Sequence, residues 1–233
     1  MNAPTRLALF DLDHTLLPLD SDYQWADFLA RTGRAGDPAQ AIQRNEDLMD
    51  RYNAGNLTAA QSAEFMLGLL SGVDPDELAR WHAQYMKEII EPAILPIALD
   101  LVRQHQDQGD LCAIVTSTNE FVAGPIARAL GIPTLIGTIP EQKDGRYTGR
   151  IQGVASFQEG KITRVDAWLR ELGLGLDSFA SSHFYSDSTN DLPLLDVVTH
   201  PVATNPSPRL RDIAKARQWR ILDLFQELQD EKS

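Results

Sequence analysis

The sequence predicts an α/β protein with a doubly wound parallel sheet. Short apolar runs that begin at Leu7 and Leu111 are typical of strands buried on both faces of a sheet. Helical segments end at glycines such as Gly109 and Gly131, and glycine commonly follows the last helical residue. From Pro96 onward strands and helices alternate, which favours a parallel sheet with helices on both faces.

Composition and charge narrow the classes of partner. The chain has 233 residues, 43% of them hydrophobic, which is enough for a substantial core. Its formal net charge of -12 disfavours nucleic acid and anionic membranes, since both would repel the protein. The longest mainly apolar stretch, Ile89 to Val102, contains charges and prolines and is too short to span a bilayer. We expect neither a nucleic acid nor a membrane as a partner, and no particular oligomeric state is predicted.

The N-terminal segment and the cysteine content favour a cytoplasmic protein. Asp11 and Asp13 fall inside what would be the apolar core of a signal peptide, so export is not expected. Cys112 is the single cysteine and cannot form an internal disulfide. It lies in an apolar run and is predicted to be a buried, unreactive thiol.

An inserted helical subdomain is predicted directly after the first strand, because the pattern there turns helical for about seventy residues. Thr58 and Gln61 have the spacing of a helix capping box. Four apolar residues at helical spacing are expected to pack in its core, with substrate contact as the alternative: Phe65, Met66, Leu69 and Leu70. We assign residues 18–91 to this subdomain and residues 1–17 and 92–233 to the core.

A small β-hairpin is predicted at about residues 139–155. Asp144 and Gly145 form an Asp-Gly pair between two strand-like runs, which is a strong hairpin signal. The hairpin interrupts the alternation of strands and helices.

Two carboxylates follow the first strand. Asp11 and Asp13 come at its carboxyl end, where open α/β sheets bind their ligands. Buried carboxylates are costly there unless a cation shares the site. Taken alone, such a pair is more readily explained by the capping of a helix or the start of a turn.

Three further elements make the combined pattern more specific. Thr116 ends the second strand, Lys161 begins a predicted helix, and Asp187 and Asp191 follow another strand. Each has an ordinary alternative, such as helix capping, a surface lysine or a favourable helix dipole. Together, carboxylates, a hydroxyl and an ammonium at neighbouring strand ends suit Mg²⁺ and phosphate.

These residues resemble the four motifs of the haloacid dehalogenase superfamily phosphatases. The matching positions, in order and spacing over nearly the whole chain, are Asp11-Leu12-Asp13-His14-Thr15, Thr116, Lys161 and Ser186-Asp187-Ser188-Thr189-Asn190-Asp191. The helical insertion after the first motif and the hairpin before Lys161 resemble the phosphoserine phosphatase-like branch (class IB). The resemblance implies a Rossmann-like core with a helical cap, formed here by the inserted subdomain.

The resemblance also implies catalytic roles. Asp11 would attack phosphorus and form an aspartyl-phosphate, and Asp13 would act as acid and then as base. Lys161 and Thr116 would stabilise the charge on the transferred phosphoryl group, together with Mg²⁺.

Mg²⁺ is the predicted cofactor, because the implied site offers hard oxygen ligands. The ion prefers near-octahedral oxygen coordination and keeps several waters. The predicted metal site comprises Asp11, the carbonyl of Asp13, and Asp187, with Asp191 and Asn190 either contacting these ligands from outside or contributing through water.

The substrate is predicted to be a small phosphorylated metabolite. The predicted substrate-binding residues are His14, Thr15, Asp20, Ser117 and Asn190. Phosphoserine phosphatases differ from this chain at His14, at Asp20 and at Thr116-Ser117-Thr118. Asp20 with Asp22 suits an amino group, so a histidinol phosphate-like substrate stands beside a phosphoserine-like one.

The predicted function is therefore Mg²⁺-dependent hydrolysis of a phosphomonoester through an aspartyl-phosphate. The alternatives are a non-catalytic phosphate-ligand sensor and a phosphotransferase on the same scaffold. A sensor has no need of Asp13 and Lys161, and the presence of both favours an enzyme.

Overall fold

The computed structural model describes residues 6–53 and 58–225, so parts of the predicted domain ranges (1–5, 54–57 and 226–233) lie outside the described residues. The strands are β1 (Arg6–Phe10), β2 (Leu111–Asn119), β3 (Leu135–Thr138), β4 (Pro140–Lys143), β5 (Arg146–Ile151), β6 (Ser181–Ser186), β7 (His200–Thr204) and β8 (Arg220–Leu222). Six of them form a parallel sheet in the order β3-β2-β1-β6-β7-β8. The predicted fold class is confirmed.

Helices connect the strands of this sheet. The α-helices are α1 (Ser21–Arg31), α2 (Pro38–Asn53), α3 (Ala59–Gly68), α4 (Pro75–Tyr85), α5 (Glu91–Ala93), α6 (Pro96–Asp107), α7 (Glu120–Ala129), α8 (Glu159–Glu171), α9 (Leu192–Leu195) and α10 (Pro208–Ala216). A π-helical turn, Met86–Ile90, joins α4 to α5, and Leu176–Ser178 and Thr189–Asp191 are short 3₁₀ turns. Within ranges 6–53 and 58–225, no helix is long and apolar enough to cross a bilayer.

Strand β1 divides the hydrophobic core into two layers. All of Leu7, Ala8, Leu9 and Phe10 are fully buried, as expected for a central parallel strand. Because side chains alternate along a strand, Leu7 and Leu9 pack on one face of the sheet, and Ala8 and Phe10 pack on the other. β2 and β6 flank β1 in parallel, so the carboxyl ends of these three strands share one edge.

Helices α1 to α4 lie in the segment predicted as a cap, residues 18–91. Thr58 and Gln61 form the predicted capping box at the start of α3. Helix α3 packs against β5 of the hairpin, and α1 packs against α2 and α7. The division of the chain at residues 17 and 91 stays a prediction.

The predicted hairpin is confirmed as the antiparallel pair β4–β5. Asp144 and Gly145 both have positive φ angles, 51° and 75°, which is the turn conformation that an Asp-Gly pair adopts readily.

Candidate active site

The candidate site lies at the carboxyl edge of β1, β2 and β6. The backbone N–H of Asp11 donates to the carbonyl of Tyr185 at 2.9 Å, so Asp11 continues the pairing of β1 with β6. A cavity opens here, and its lining includes Asp11, Asp13, Lys161, Asp187 and Asp191. We call it the Lys161 cavity. The structure therefore brings together the five charged residues predicted from separate segments.

Lys161 is held between two carboxylates. Its Nζ lies 2.9 Å from Oδ1 of Asp11 and 2.7 Å from Oδ1 of Asp191, and Lys161 is only 3% exposed. Burial lowers the pKa of Lys161, but the charges of Asp11 and Asp191 outweigh it and raise the pKa above its ordinary value. Ser186 Oγ donates to Asp191 at 2.7 Å. The Lys161 side chain is thus a positively charged ammonium group that two carboxylates hold in place.

The start of α8 carries Lys161 into the site. Gly160 is required there, since a Cβ atom at this position would collide with the carbonyl oxygen of Ala155. Gln158, just before α8, has a φ of 50°, which is unusual for a residue with a side chain. This tight approach places Lys161 in the first turn of the helix, facing Asp11.

Thr15 links the loops that follow β1 and β6. Its Oγ1 accepts the backbone N–H of Asp187 at 3.1 Å and lies 3.4 Å from carboxylate oxygens of both Asp11 and Asp187. Thr15 is fully buried and is not part of the lining of the Lys161 cavity. The predicted substrate-binding residue therefore lies between two carboxylates instead of on the cavity wall.

Both carboxylate oxygens of Asp13 accept hydrogen bonds. The N–H of Ser21 donates to Oδ1 at 2.7 Å, and Thr118 Oγ1 donates to Oδ2 at 2.6 Å. Burial, and then the charge of Asp20, raise the pKa of Asp13 to about 6. This value suits a group that donates and accepts a proton near neutral pH.

The hydroxyls at the end of β2 have different environments. Thr116 is fully buried, and its Oγ1 accepts the N–H of Thr118 at 3.1 Å, which leaves its own proton to donate. Ser117 is exposed and contributes to the wall of the Lys161 cavity. Sequence reasoning missed the contact of Thr118 with Asp13, although alternation along β2 places Thr118 on the same face as Thr116.

A second cavity adjoins the first. We call it the Asp22 cavity; its lining includes Asp13, Asp20, Asp22, Leu48, Met49, Met66 and Phe157. Five residues line both cavities: Asp13, Asp20, Met49, Ser117 and Phe157. Among the described residues that line either cavity, Lys161 is the only Lys or Arg.

The acidic residues of the Asp22 cavity are fixed by the helices around it. Asp20 caps α1 by accepting the N–H of Tyr23 at 2.8 Å, and Asp22 accepts a hydrogen bond from Asn119 Nδ2 at 2.9 Å. Burial, and then the charges of Asp20 and Asp13, raise the pKa of Asp22 well above its ordinary value. A cation in the cavity would favour the charged form of Asp22.

His14 and Asn190 line the Lys161 cavity, as predicted for substrate-binding residues. His14 is exposed and has a φ of 56°, and its carbonyl accepts a hydrogen bond from Asn205 Nδ2 at 2.9 Å. The N–H of Asn190 donates to Ser188 Oγ at 3.2 Å. Hydrogen bonds of their backbones therefore help to hold both residues in the cavity wall.

The carboxylates at the site outnumber the cations. Burial, and then the charges of Asp11 and Asp191, raise the pKa of Asp187 to about 8. Within the part of the chain that the structure describes, no three His, Cys, Asp or Glu side chains group as a metal cage. Mg²⁺ needs no such cage, since one or two carboxylates with waters and a substrate phosphate hold it. The oxygen ligands and the excess negative charge near Asp11 and Asp187 fit this ion.

Comparison with known proteins agrees with this geometry. The model of the haloacid dehalogenase-like hydrolase family matches residues 8–196. A histidinol-phosphatase of Neisseria meningitidis is 43% identical over 93% of this chain and 98% of its own length. A phosphoserine phosphatase of Mycobacterium tuberculosis is 32% identical over 94% of this chain and 71% of its own length.

A solved structure is similar over the whole fold. It is a protein of unknown function from Bordetella pertussis Tohama I, 64% identical, with a TM-score of 0.94 over 96% of this chain and 100% of that one. The family match covers the last three residues of the first strand, the helices that follow it and all four groups of site residues. The chain therefore belongs to the haloacid dehalogenase-like hydrolase family, and it is a phosphatase.

Proposed function

We propose that this phosphatase hydrolyses the phosphomonoester of a small cationic amino alcohol, of the histidinol phosphate type. The observation that carries the proposal is the Asp22 cavity, where Asp13, Asp20 and Asp22 face one space that adjoins Lys161 and Asp11. A phosphate at Lys161 would leave the rest of a small substrate in this acidic cavity. The similarity to a histidinol-phosphatase supports the same substrate class.

Phosphoserine fits the cavity less well than a substrate without a carboxylate. Its carboxylate would approach the three half-buried aspartates, and each of them that is ionised would repel it. Lys161 is the only Lys or Arg among the described lining residues, and it is paired with Asp11 and Asp191. Arg44 supplies no positive charge to the lining of either cavity: it is exposed and donates to the carbonyls of Ala35 and Gln40.

The apolar part of the Asp22 cavity suits a flat ring. Leu48, Met49, Met66 and Phe157 provide aliphatic, thioether and aromatic surface beside the carboxylates. Methionine adapts well to a planar group, and an aromatic face attracts a cation. An imidazole ring is flat and can carry a positive charge. The ring of histidinol phosphate therefore suits both the apolar surface and the carboxylates of the Asp22 cavity.

The residues of the Lys161 cavity support hydrolysis in two steps. In the first, a carboxylate oxygen of Asp11 bonds to phosphorus, the bond from phosphorus to the ester oxygen breaks, and Asp13 gives that oxygen a proton. In the second, Asp13 takes a proton from a water whose oxygen bonds to phosphorus. The bond to Asp11 then breaks and phosphate leaves.

Lys161 and the hydroxyls of β2 assist both steps. Lys161 fixes one oxygen of Asp11 and places a positive charge beside the transferred group. The proposed donors to phosphoryl oxygens are the exposed Ser117 hydroxyl, which lines the cavity, and the Thr116 hydroxyl, which lies buried behind its wall. A phosphotransferase reaction would use the same residues, with a second alcohol in place of water.

Mg²⁺ is the proposed cofactor, held by Asp11, Asp187 and the carbonyl of Asp13. When bound, it would offset the negative charge of the phosphate and the carboxylates. Asp191 contributes by holding Lys161, since its carboxylate contacts Lys161 and Ser186. The proposed compartment is the cytoplasm, where the single thiol of Cys112 would stay reduced.

The test is phosphate release from matched esters. L-histidinol phosphate, phosphoethanolamine and phosphoserine are compared with Mg²⁺ and with EDTA, for the wild type and for Asp11→Asn. We expect kcat/KM for histidinol phosphate to exceed that for phosphoserine by at least about a hundredfold, because repulsion of the carboxylate is worth several kcal/mol. Preference for phosphoserine would refute the substrate assignment, and full activity of Asp11→Asn would refute the mechanism.

A further inference from the structure

The contacts of Thr118 form a directed chain of hydrogen bonds that ends on Asp13. Thr118 is 2% exposed, and its hydroxyl has one proton, which it donates to Asp13 Oδ2 at 2.6 Å. Ser21 Oγ lies 3.4 Å from Thr118 Oγ1, so Ser21 is the donor in that contact. The direction therefore runs from Ser21 through Thr118 to Asp13.

This chain determines how the Asp13 carboxyl group is oriented. The Ser21 N–H donates to Oδ1 of Asp13 at 2.7 Å, and the Thr118 hydroxyl donates to Oδ2. With one donor on each oxygen of this half-buried carboxylate, rotation of the carboxyl plane would break a hydrogen bond. The backbone of Thr118 is fixed in turn, because its N–H donates to Thr116 Oγ1 and Asn119 begins α7 as its cap.

We infer that Thr118 is a positioning residue that orients Asp13 to deliver its proton to the leaving ester oxygen. The inference rests on the proposed acid role of Asp13. In that step the bond from Asp11 to phosphorus forms, the ester bond breaks, and the proton of Asp13 ends on the released oxygen. A small misplacement of a catalytic group costs large factors in rate, so losing one of the two donors matters.

The test compares two leaving groups. Phenyl phosphate releases a basic phenolate that needs a proton, whereas 4-nitrophenyl phosphate releases a weakly basic anion that does not. Neither probe depends on the identity of the natural substrate. The quantity measured is kcat/KM, which covers the steps up to formation of the aspartyl-phosphate, for wild type, Asp13→Asn, Thr118→Val and Thr118→Ser.

We expect Thr118→Val to lose roughly tenfold or more on phenyl phosphate and less than about threefold on 4-nitrophenyl phosphate. Thr118→Ser, which keeps the hydroxyl, should restore activity on phenyl phosphate. Equal losses on both esters, with a lowered melting temperature, would mean a structural role and overturn the inference. Retention of full activity by Thr118→Val would overturn it as well.

Asp13→Asn separates this inference from the proposed function. If Asp13→Asn shows the leaving-group difference and Thr118→Val does not, the role of Thr118 is wrong and that of Asp13 stands. If Asp13→Asn shows no such difference, Asp13 is not the acid, and the roles of both residues are overturned.

Discussion

The Nζ atom of Lys161 lies 2.9 Å from Oδ1 of Asp11, although the two residues are 150 positions apart in the sequence. They are 3% and 7% exposed, and Asp191 contacts the same ammonium. A buried ion pair contributes mainly while both partners are present, because an unpaired charge left behind is costly. This contact therefore links the stability of the fold to the geometry of the reaction.

Replacement of Lys161 by methionine should impair both activity and stability. We expect kcat/KM to fall by about a thousandfold, since a preorganised charge beside the phosphoryl group is lost. The free energy of unfolding should fall by about 3 kcal/mol, because Asp11 and Asp191 lose their partner. Lys143→Met is the matched control, since Lys143 is 63% exposed. Activity of Lys161→Met within tenfold of the wild type would contradict the assignment.

Raising the pH should destabilise the metal-free protein. Burial, then Asp11 and Asp191, raise the pKa of Asp187 to about 8 from an ordinary 3.8. The folded state thus holds a proton that the unfolded state releases, so stability is lost as the pH rises toward and through about 8. In EDTA we expect the melting temperature to fall by roughly 5 °C between about pH 5 and about pH 9.

A variant at Asp187 tests the origin of that slope. Asp187→Asn removes the titrating group, so its melting temperature should depend less on pH than that of the wild type. Mg²⁺ should stabilise the wild type more at high pH, where the carboxylates are charged. Asp100→Asn, at a side chain that is 60% exposed, is the control. If the melting temperature of Asp187→Asn depends on pH as strongly as that of the wild type, a group other than Asp187 is responsible for the pH dependence.

Asp22→Asn should weaken the binding of an amino-bearing substrate. We expect KM for histidinol phosphate to rise by about tenfold, because one charge contact near a protein surface is worth on the order of 1 to 2 kcal/mol. KM for an uncharged alkyl phosphate should stay constant. Asp76→Asn, on the exposed face of α4, is the control. Equal changes in KM for both esters would show that Asp22 does not recognise the amine.

The hydrogen bonds that His105 makes away from the active site should affect the stability of the protein and not its activity. His105 Nδ1 lies 2.7 Å from Asp110 Oδ2, and His105 Nε2 lies 2.7 Å from the hydroxyl of Tyr185. His105→Leu removes the hydrogen bond to the Tyr185 hydroxyl and one of those to Asp110, which keeps Arg6, so the free energy of unfolding should fall by about 1 to 3 kcal/mol. We expect kcat to change less than about twofold. His200→Leu, at an exposed position, is the control, and a large loss of kcat in His105→Leu would refute this separation.

The charged residues of the site were predictable because their signal is local. Asp11 directly follows the apolar strand β1, Asp187 directly follows β6, and Lys161 lies in the first turn of α8, so strand ends and helix starts alone bring them to one edge of the sheet. The hairpin was predictable for the same reason, since Asp144 and Gly145 carry the turn signal within two residues.

The partners of these residues were harder to predict because they depend on packing between distant segments. The contact of Thr118 with Asp13 joins residues 105 positions apart, and a hydroxyl near a helix start is equally consistent with capping. Met66 has the helical spacing of a core residue, and it is 5% exposed, yet it also lines the Asp22 cavity. Apolar periodicity is the same for a core and for a cavity wall.

The two cavities overlap through five side chains, and this overlap limits how the enzyme can change its choice of substrate. A substitution at Asp13, Asp20 or Ser117 alters recognition and turnover together, since each lines both spaces. Asp22, Leu48 and Met66 line the Asp22 cavity alone. Directed evolution toward new phosphate esters should therefore accumulate its early substitutions at these three positions, where a change of side chain should lower kcat least.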